Sequence, residues 1–297
     1  MSGSRIRWGV LGAAHIAGRA VLPAIAASNN GRLAAIASRS QERAREMVSP
    51  YPGARIVESY DALLADAEID AVYNPLPNQL HREWTLRALE AGKHVLCEKP
   101  LALNASEAEE MAAAAKAARK HLMEAFMYRF HPDMRAFVSG LRDPIHVAAS
   151  FGFTAERPDD IRLQAPLGGG ALLDVGCYTV SVSRWILGEP DDVRARSRMR
   201  NGIDLTTSAL LSFPGGATAA SWSSLESPAI QEVSVITKRE VFRRHLAFTA
   251  RENHDPYKLM VESFGDSILN DRPVAIPLEE SIANMRTLDR IRESAKA

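Results

Sequence analysis

Residues 8–18 read Trp8-Gly9-Val10-Leu11-Gly12-Ala13-Ala14-His15-Ile16-Ala17-Gly18, a short apolar run that breaks at a glycine and passes into an alanine-rich segment. The outline is that of a strand, a tight turn and a helix, the unit that opens a dinucleotide-binding fold. In the fingerprint G-x-G-x-x-G/A the first glycine makes the turn, the second admits the pyrophosphate, and the third lets the helix close on the strand. Gly12, Ala14 and Ala17 hold those places here. Ala17 keeps the third place small, but Ala14 sets a methyl group beside the phosphate path. Taken alone, the motif leaves an ordinary strand-to-helix turn open as an alternative.

Working outward, short β-type runs at Ile6–Leu11, Leu33–Ser38, Ala71–Asn74 and His94–Cys97, with a weaker one at Arg55–Val57, alternate with helical patterns. Those helices are expected at Ile16–Ala27, Gln41–Met47, Leu80–Ala91 and Ala105–His121. The last has Asn104 to cap it and Glu107 to complete a capping box. Alternation of this kind predicts a parallel sheet covered by helices. After Ala125 the texture shifts to longer alternating runs at His146–Phe153, Ser208–Phe213 and Gln231–Ile236. Loop signals fall at Pro158, Pro166–Gly170 and Pro214–Gly216, and closing helices at Tyr257–Leu269 and Leu278–Arg292. The expected class is α/β: a Rossmann doubly wound parallel sheet over residues 1–125, then an α+β domain on a mostly antiparallel sheet over residues 126–297, for substrate binding and oligomerisation.

The 297 residues carry 36 basic and 36 acidic side chains, dispersed along the chain, so no nucleic-acid or membrane partner is expected. Cys97 and Cys177 lie in apolar surroundings and read as buried thiols of a reducing compartment, without metal-ligand spacing. The first strand starts close to Met1 and no run is apolar for long enough to span a bilayer, which predicts a cytoplasmic protein.

At the end of the second strand, where an NAD site usually presents an acid to the ribose, the chain has Ser38-Arg39-Ser40, with Arg43 one turn on. An acid would repel a 2′-phosphate, whereas a guanidinium and hydroxyls would bind it, so NADP is expected over NAD. The same triplet also suits a helix cap followed by a solvated arginine.

Residues Ala71–Pro100, AVYNPLPNQLHREWTLRALEAGKHVLCEKP, closely resemble the glucose-fructose oxidoreductase / inositol dehydrogenase family, the Gfo/Idh/MocA oxidoreductases. The matching features are Pro77 and His81 in P-x-x-x-H, Ala91–Val95, and Glu98-Lys99-Pro100. The resemblance continues through Glu124–Pro132 and Gly168–Tyr178 (GGGALLDVGCY) and covers about residues 5–190. It implies a genuine cofactor turn with Gly12, Ala14, His15 and Ile16 on the pyrophosphate side. It further implies that Pro75, Leu76, Asn78, His81, Glu98 and Lys99 border the cofactor, and that Lys99 is the catalytic lysine. His81 also fits an ordinary cap or core position in the first turn of a helix, and the Lys99–Pro100 bond is a candidate cis peptide.

Asp174 and Tyr178 stand four apart, on one face if the segment is α-helical. The resemblance makes Asp174 a substrate ligand and Tyr178 a proton donor or acceptor, the tyrosine replacing the histidine of inositol-dehydrogenase-like members. Arg129 and His131 are further substrate candidates. The activity implied is hydride transfer between NADP (NAD as the second choice) and a hydroxyl or carbonyl carbon of a sugar or cyclic polyol. A trans-dihydrodiol or aldose 1-dehydrogenase is the alternative on the same scaffold, and an NADP-binding sensor the alternative outside catalysis. A homo-dimer or homo-tetramer is expected, because an alternating antiparallel sheet leaves one face to cover.

Overall fold

The computed structural model describes residues 5–157 and 159–296, so the loop signal at Pro158 lies outside the described residues. The chain divides into two compact units. The first takes in the chain through Leu101, Ser106–Phe130 and Glu252–Ser281; the second takes in Ala102–Ala105, His131–Arg251 and the chain from Ile282.

Six parallel strands make the sheet of the first unit: β1 Ile6–Leu11, β2 Gly31–Ala37, β3 Arg55–Val57, β4 Ala71–Asn74, β5 His94–Cys97 and β6 Leu122–Glu124, in the order β3-β2-β1-β4-β5-β6. All four residues of β4 and six of the seven in β2 are buried, as expected of strands covered on both faces. The covering helices are α1 Leu22–Ala27, entered through a π-helical turn at Ala17–Val21, α2 Gln41–Val48, α3 Tyr60–Ala65, α4 His81–Glu90 and α5 Ala105–Ala118. Side-chain caps start two of them: the Ser40 hydroxyl accepts from the Arg43 amide at 3.3 Å, and Ser59 from Ala62 at 3.0 Å. The order reverses between β1 and β4, which puts the switch point of a doubly wound sheet at the carboxyl ends of β1 and its neighbours.

One boundary departs from the sequence reading, which assigned everything after residue 125 to a second domain. The helix Pro256–Leu269 belongs with the first unit. Its Phe264 ring packs 5.7 Å from Trp8 of β1, and the Asn30 side-chain amide donates to the Glu262 carbonyl and the Asp266 carboxylate, each at 2.8 Å. Amphipathic spacing shows that a helix has a face to bury but does not say against which sheet.

The second unit carries β7 Pro144–Thr154, β8 Asp192–Arg200, β9 Ile203–Ser212, β10 Thr218–Ser224, β11 Glu226–Thr237 and β12 Val241–His245, in the order β12-β11-β7-β10-β9-β8. Only β7 and β10 pair in parallel; the other pairings are antiparallel. Two helices precede or follow β7: α6 Pro132–Gly140 and α7 Cys177–Leu187. The stretch between Trp222 and Tyr257 supplies β11 and β12. Among the described residues no helix is long and apolar enough to cross a membrane.

The loops after β4 and β5 are bolted together by His81, which is fully buried at the start of α4. Its Nε2 lies 2.8 Å from the Leu76 carbonyl and its Nδ1 2.8 Å from the Pro100 carbonyl. The two carbonyls favour a charged ring, but loss of hydration outweighs them and pushes the imidazole down to about 4. A folded-state pKa below the unfolded value of 6.5 means that the unfolded chain binds the extra proton. The associated stability is therefore complete above pH 6.5 and is lost as pH falls toward 4. Urea unfolding at pH 7 and pH 5 should show a fall in stability, to which His81 contributes up to about 3 kcal/mol over the full window. The His81→Gln variant should be less stable at pH 7 and show a shallower pH dependence, retaining the share of His94, which burial also pushes down to about 4.

Candidate active site

At the carboxyl edge of the first sheet the Gly12 amide donates to the Ala37 carbonyl at 2.7 Å, joining the end of β1 to the end of β2. Gly12 has φ +88°, and a Cβ there would stand 3.0 Å from Leu76 Cδ2 and 3.4 Å from the Tyr60 hydroxyl. Helix begins at His15, so Ala13 and Ala14 lead into a helix N-terminus whose amides have no partner within the helix. Ala13, Ala14 and Ile16 are half-buried and His15 is exposed. One residue past β2, Ser38 is buried and its hydroxyl accepts from the Ser40 amide at 3.1 Å, while Arg39 and Arg43 are exposed. The Ser40 cap that the triplet suited is present: Ser40 starts α2, and Arg39 stays exposed beside it.

Beyond β4, Asn74 is fully buried and fixes the following loop. Its side chain donates to the His81 carbonyl at 3.3 Å and to the Thr85 hydroxyl at 3.2 Å, and accepts from the Leu76 amide at 3.3 Å. Pro75 and Leu76 are buried and Asn78 is half-buried in this loop. His81, expected over the cofactor, is instead buried in the fold, each ring nitrogen 2.8 Å from a backbone carbonyl, and the neutral ring donates to one of the two according to its tautomer. Beyond β5, the Tyr73 hydroxyl donates to Glu98 Oε1 at 2.5 Å. Burial first and the Glu98 charge second hold the Tyr73 phenol well above its usual pKa, so it stays a donor and Glu98 stays in place. Lys99 follows, half-buried, and the Lys99–Pro100 peptide is cis. In the first unit, then, Gly12, Ser38, Arg39, Leu76 and Lys99 all follow the carboxyl ends of parallel strands.

In the second unit the candidate residues lie in Gly168–Tyr178. Gly170 adopts φ +116°, and a Cβ there would fall 2.2 Å from Asp204 Oδ1. Asp204, on β9, accepts from the Leu172 amide and from the Thr207 hydroxyl, each at 2.7 Å. Its carboxylate therefore caps the helical segment that carries the site. That segment opens with a π-helical turn, Leu172–Gly176, before α7, so Asp174 lies in the wide turn rather than on the α-helical face that the four-residue spacing assumed. Arg162 donates to Asp174 Oδ2 at 2.8 Å and to both Asp160 oxygens at 3.2 Å. Tyr178 stands edge-on to Phe151 at 5.3 Å and inclined to Phe248 at 5.5 Å, with those two rings stacked at 5.2 Å.

The two remaining substrate candidates separate. Arg129 lies half-buried in the short turn Met127–Phe130 of the first unit. His131 is 2% exposed, and its Nδ1 accepts from the Asp133 amide at 3.2 Å. Its Nδ1 thus caps α6. Both cysteines are buried and free, and no metal cluster occurs among the described residues. Sequence reasoning passed over Tyr60, Arg162 and Asp204. The G-G-G run before Asp174 was a signal of close backbone approach, but it could not name the partner.

Residues 6–126 match the family model for the oxidoreductase family with an NAD-binding Rossmann fold, and residues 141–242 match the GFO/IDH/MocA C-terminal domain. The chain is 38% identical to D-xylose 1-dehydrogenase (NADP(+)) 2 of Haloferax volcanii over 97% of each chain. Among solved structures it is similar to KijD10, a 3-ketoreductase from Actinomadura kijaniata in complex with NADP and TDP-benzene, with TM-score 0.87, 32% identity and 98% of each chain covered. It is also similar to the aldose-aldose oxidoreductase from Caulobacter crescentus complexed with glycerol, with TM-score 0.91 and 26% identity over 98% of each chain. With both models matched and whole-length relatives at this identity, the chain belongs to the Gfo/Idh/MocA family of oxidoreductases.

Proposed function

We propose that this protein is an NADP-dependent oxidoreductase that interconverts a hydroxyl and a carbonyl on a sugar or cyclic polyol. The observation that carries the reading is the carboxyl edge of the first sheet, where a glycine turn, a serine–arginine corner and a lysine all follow parallel strands. That edge fits the cofactor. The bare Cα of Gly12 leaves room that a Cβ would fill, the helix from His15 offers unpaired amides to a pyrophosphate, and no carboxylate replaces Ser38 or Arg39 in the corner. Gly12, Ala14, His15 and Ile16 would hold the pyrophosphate, Ser38, Arg39 and Arg43 the 2′-phosphate, and Pro75, Leu76, Asn78 and Glu98 the nicotinamide side.

When bound, the nicotinamide gives or takes the hydride. The protein's own residues handle the proton and the substrate. Lys99 stabilises charge developing on the substrate oxygen, and Tyr178 gives or takes its proton. Asp174 accepts hydrogen bonds from substrate hydroxyls, its carboxylate steadied by Arg162. The apolar rings of Phe151 and Phe248 hold the Tyr178 ring in one orientation, so its hydroxyl needs little reorganisation to act. Names of relatives support the same substrate chemistry: a D-xylose dehydrogenase, a 3-ketoreductase and an aldose-aldose oxidoreductase.

Pairing with a second copy belongs to this reading. One face of the second sheet presents Ala148, Ser150, Leu210, Ala220 and Trp222 around a hollow, with Leu210 62% exposed. A second copy covering that face would bury these side chains.

Three measurements follow. Lys99→Ala and Tyr178→Phe should each lower turnover by about a hundredfold or more, with NADPH affinity little changed in Tyr178→Phe. The double variant should be far less than multiplicatively worse, because both groups serve one proton path. Full activity in Tyr178→Phe would remove the tyrosine from the mechanism. Fluorescence titration should give tighter binding of NADPH than NADH, and Arg39→Ala should erase the difference. Light scattering at micromolar concentration should report a dimer or tetramer, and Leu210→Glu should shift it toward monomer.

A further inference from the structure

Where the π-helical turn Leu172–Gly176 passes into α7, three backbone carbonyls accept hydrogen bonds from side chains. The Asp174 carbonyl accepts from the Cys177 thiol at 3.5 Å, the Gly176 carbonyl from the Thr179 hydroxyl at 2.9 Å, and the Cys177 carbonyl from the Asn284 side-chain amide at 3.2 Å. Cys177 and Thr179 belong to the helix and turn with it. Asn284 does not: it lies on the helix Leu278–Ser294, in the same unit as Cys177. That helix is itself anchored beyond α7. Arg290 donates to the Pro190 and Asp191 carbonyls, each at 2.7 Å, and the Ser294 hydroxyl accepts from the Ala195 amide of β8 at 3.0 Å. Asn284 is 2% exposed, and its Oδ1 has no hydrogen-bond partner among the described residues. An unmatched oxygen in the core works against stability, and a leucine of similar size would remove it. The amide nitrogen has to face Cys177, because an amide oxygen cannot donate to a carbonyl.

We propose that Asn284 is a positioning residue for Tyr178: its side-chain amide holds the carbonyl of the Cys177–Tyr178 peptide and, with it, the π-to-α junction that sets Tyr178 against Asp174. The inference rests on the reading of Tyr178 as the group that gives or takes the substrate proton. The carbonyl that Asn284 reaches belongs to the peptide bond whose nitrogen is that of Tyr178. Fixing its oxygen fixes the plane of that peptide, and so the direction in which the tyrosine leaves the helix. A π-turn fits more residues into one turn than an α-turn does, so its loss would rotate Tyr178 about the axis relative to Asp174. Phe151 and Phe248 hold the ring of the tyrosine, and Asn284 holds the backbone beneath it. A proton donor acts only within a narrow range of position, which gives a reason for a buried amide to keep one half unmatched.

The test compares the wild type with Asn284→Leu, Asn284→Ala, Tyr178→Phe and the double variant of Asn284→Leu with Tyr178→Phe. Turnover is measured with NADP and D-xylose, D-glucose or myo-inositol, binding with NADPH, and a crystal structure of Asn284→Leu reads the geometry whatever the substrate. Leucine removes the unmatched oxygen together with the donor, so the melting temperature should stay close to that of the wild type. Alanine, which demands no room, reports in its place if leucine disturbs the core. Each variant should lower kcat by about tenfold or more, the scale of a misplaced acid or base. The sugar KM and the NADPH affinity should change by less than about twofold, because neither reads the proton step. In the crystal the Tyr178 hydroxyl should stand about 1 Å or more from its wild-type place. In the Tyr178→Phe background Asn284→Leu should lower turnover by less than about twofold further, because Asn284 acts through the tyrosine. Equal losses in the two backgrounds would make Asn284 a general structural residue and overturn the proposal, as would an unmoved Tyr178. If Tyr178→Phe lowers turnover and the Asn284 variants keep it, only the role of Asn284 falls. If Tyr178→Phe itself keeps full turnover, the proton assignment falls and this inference with it.

Discussion

The arrangement of the nucleotide edge depends on a missing side chain. Gly12 turns the chain with φ +88° and gives its amide to Ala37 at 2.7 Å. An L-residue at that φ would be strained, and its Cβ would press on Leu76 at 3.0 Å. Three separate segments meet in the space that this leaves: the end of β2 with Ser38 and Arg39, the loop after β4 with Leu76, and the start of α3 with Tyr60. None is near another in sequence. That hydrogen bond extends the β1–β2 ladder by one residue, and the parallel sheet continues to β5 and Lys99 through the buried pairings of β1 with β4 and β4 with β5.

The second unit solves a similar problem with a carboxylate. The helix that carries Asp174 and Tyr178, the residues proposed to meet substrate, starts in a defined phase only if its first amides find acceptors. Asp204 provides one from β9, and the glycine at position 170 lets that carboxylate come within reach of the backbone. Burial raises the pKa of Asp204, and the hydrogen bonds from Thr207 and Leu172 oppose that rise only in part. Both helices associated with the proposed chemistry begin with a π-helical turn, Ala17–Val21 after the nucleotide turn and Leu172–Gly176 before α7. Such turns widen the helix and leave part of the regular bonding pattern, an irregularity that is often found at functional sites.

Buried polar groups carry much of the remaining precision. Asn74, His81 and Tyr73 are buried, and each has a hydrogen-bond partner in the backbone or in a neighbouring side chain. An unmatched group in such a place would cost more than its hydrogen bond gains. The loops after β4 and β5 are therefore held by requirements that cannot be relaxed one at a time, which suits a site where a lysine must be delivered at a fixed point on the edge of the sheet.

The order of elements was legible in the sequence because it depends on local periodicity. β1, β3, β4 and β5 were bounded to the residue, and the α/β first part and antiparallel second part follow from the change in pattern after Ala125. The run from Ala71 to Pro100 carried the family, since its residues are adjacent in the chain and need no folding to be read together. Short elements such as α3 and β6 were missed. What only the tertiary structure decided concerns partners distant in sequence. It returned Pro256–Leu269 to β1 through Phe264 and Trp8, and it turned His81 from a cofactor candidate into a tie between two carbonyls. It made the His131 Nδ1 a cap, and it brought Tyr60 to Gly12 and Asp204 to Gly170. The physical reason is common to all of them: a side chain's chemistry is written in its residue type, but whether that chemistry faces a ligand or a neighbouring backbone is set by what the fold packs against it.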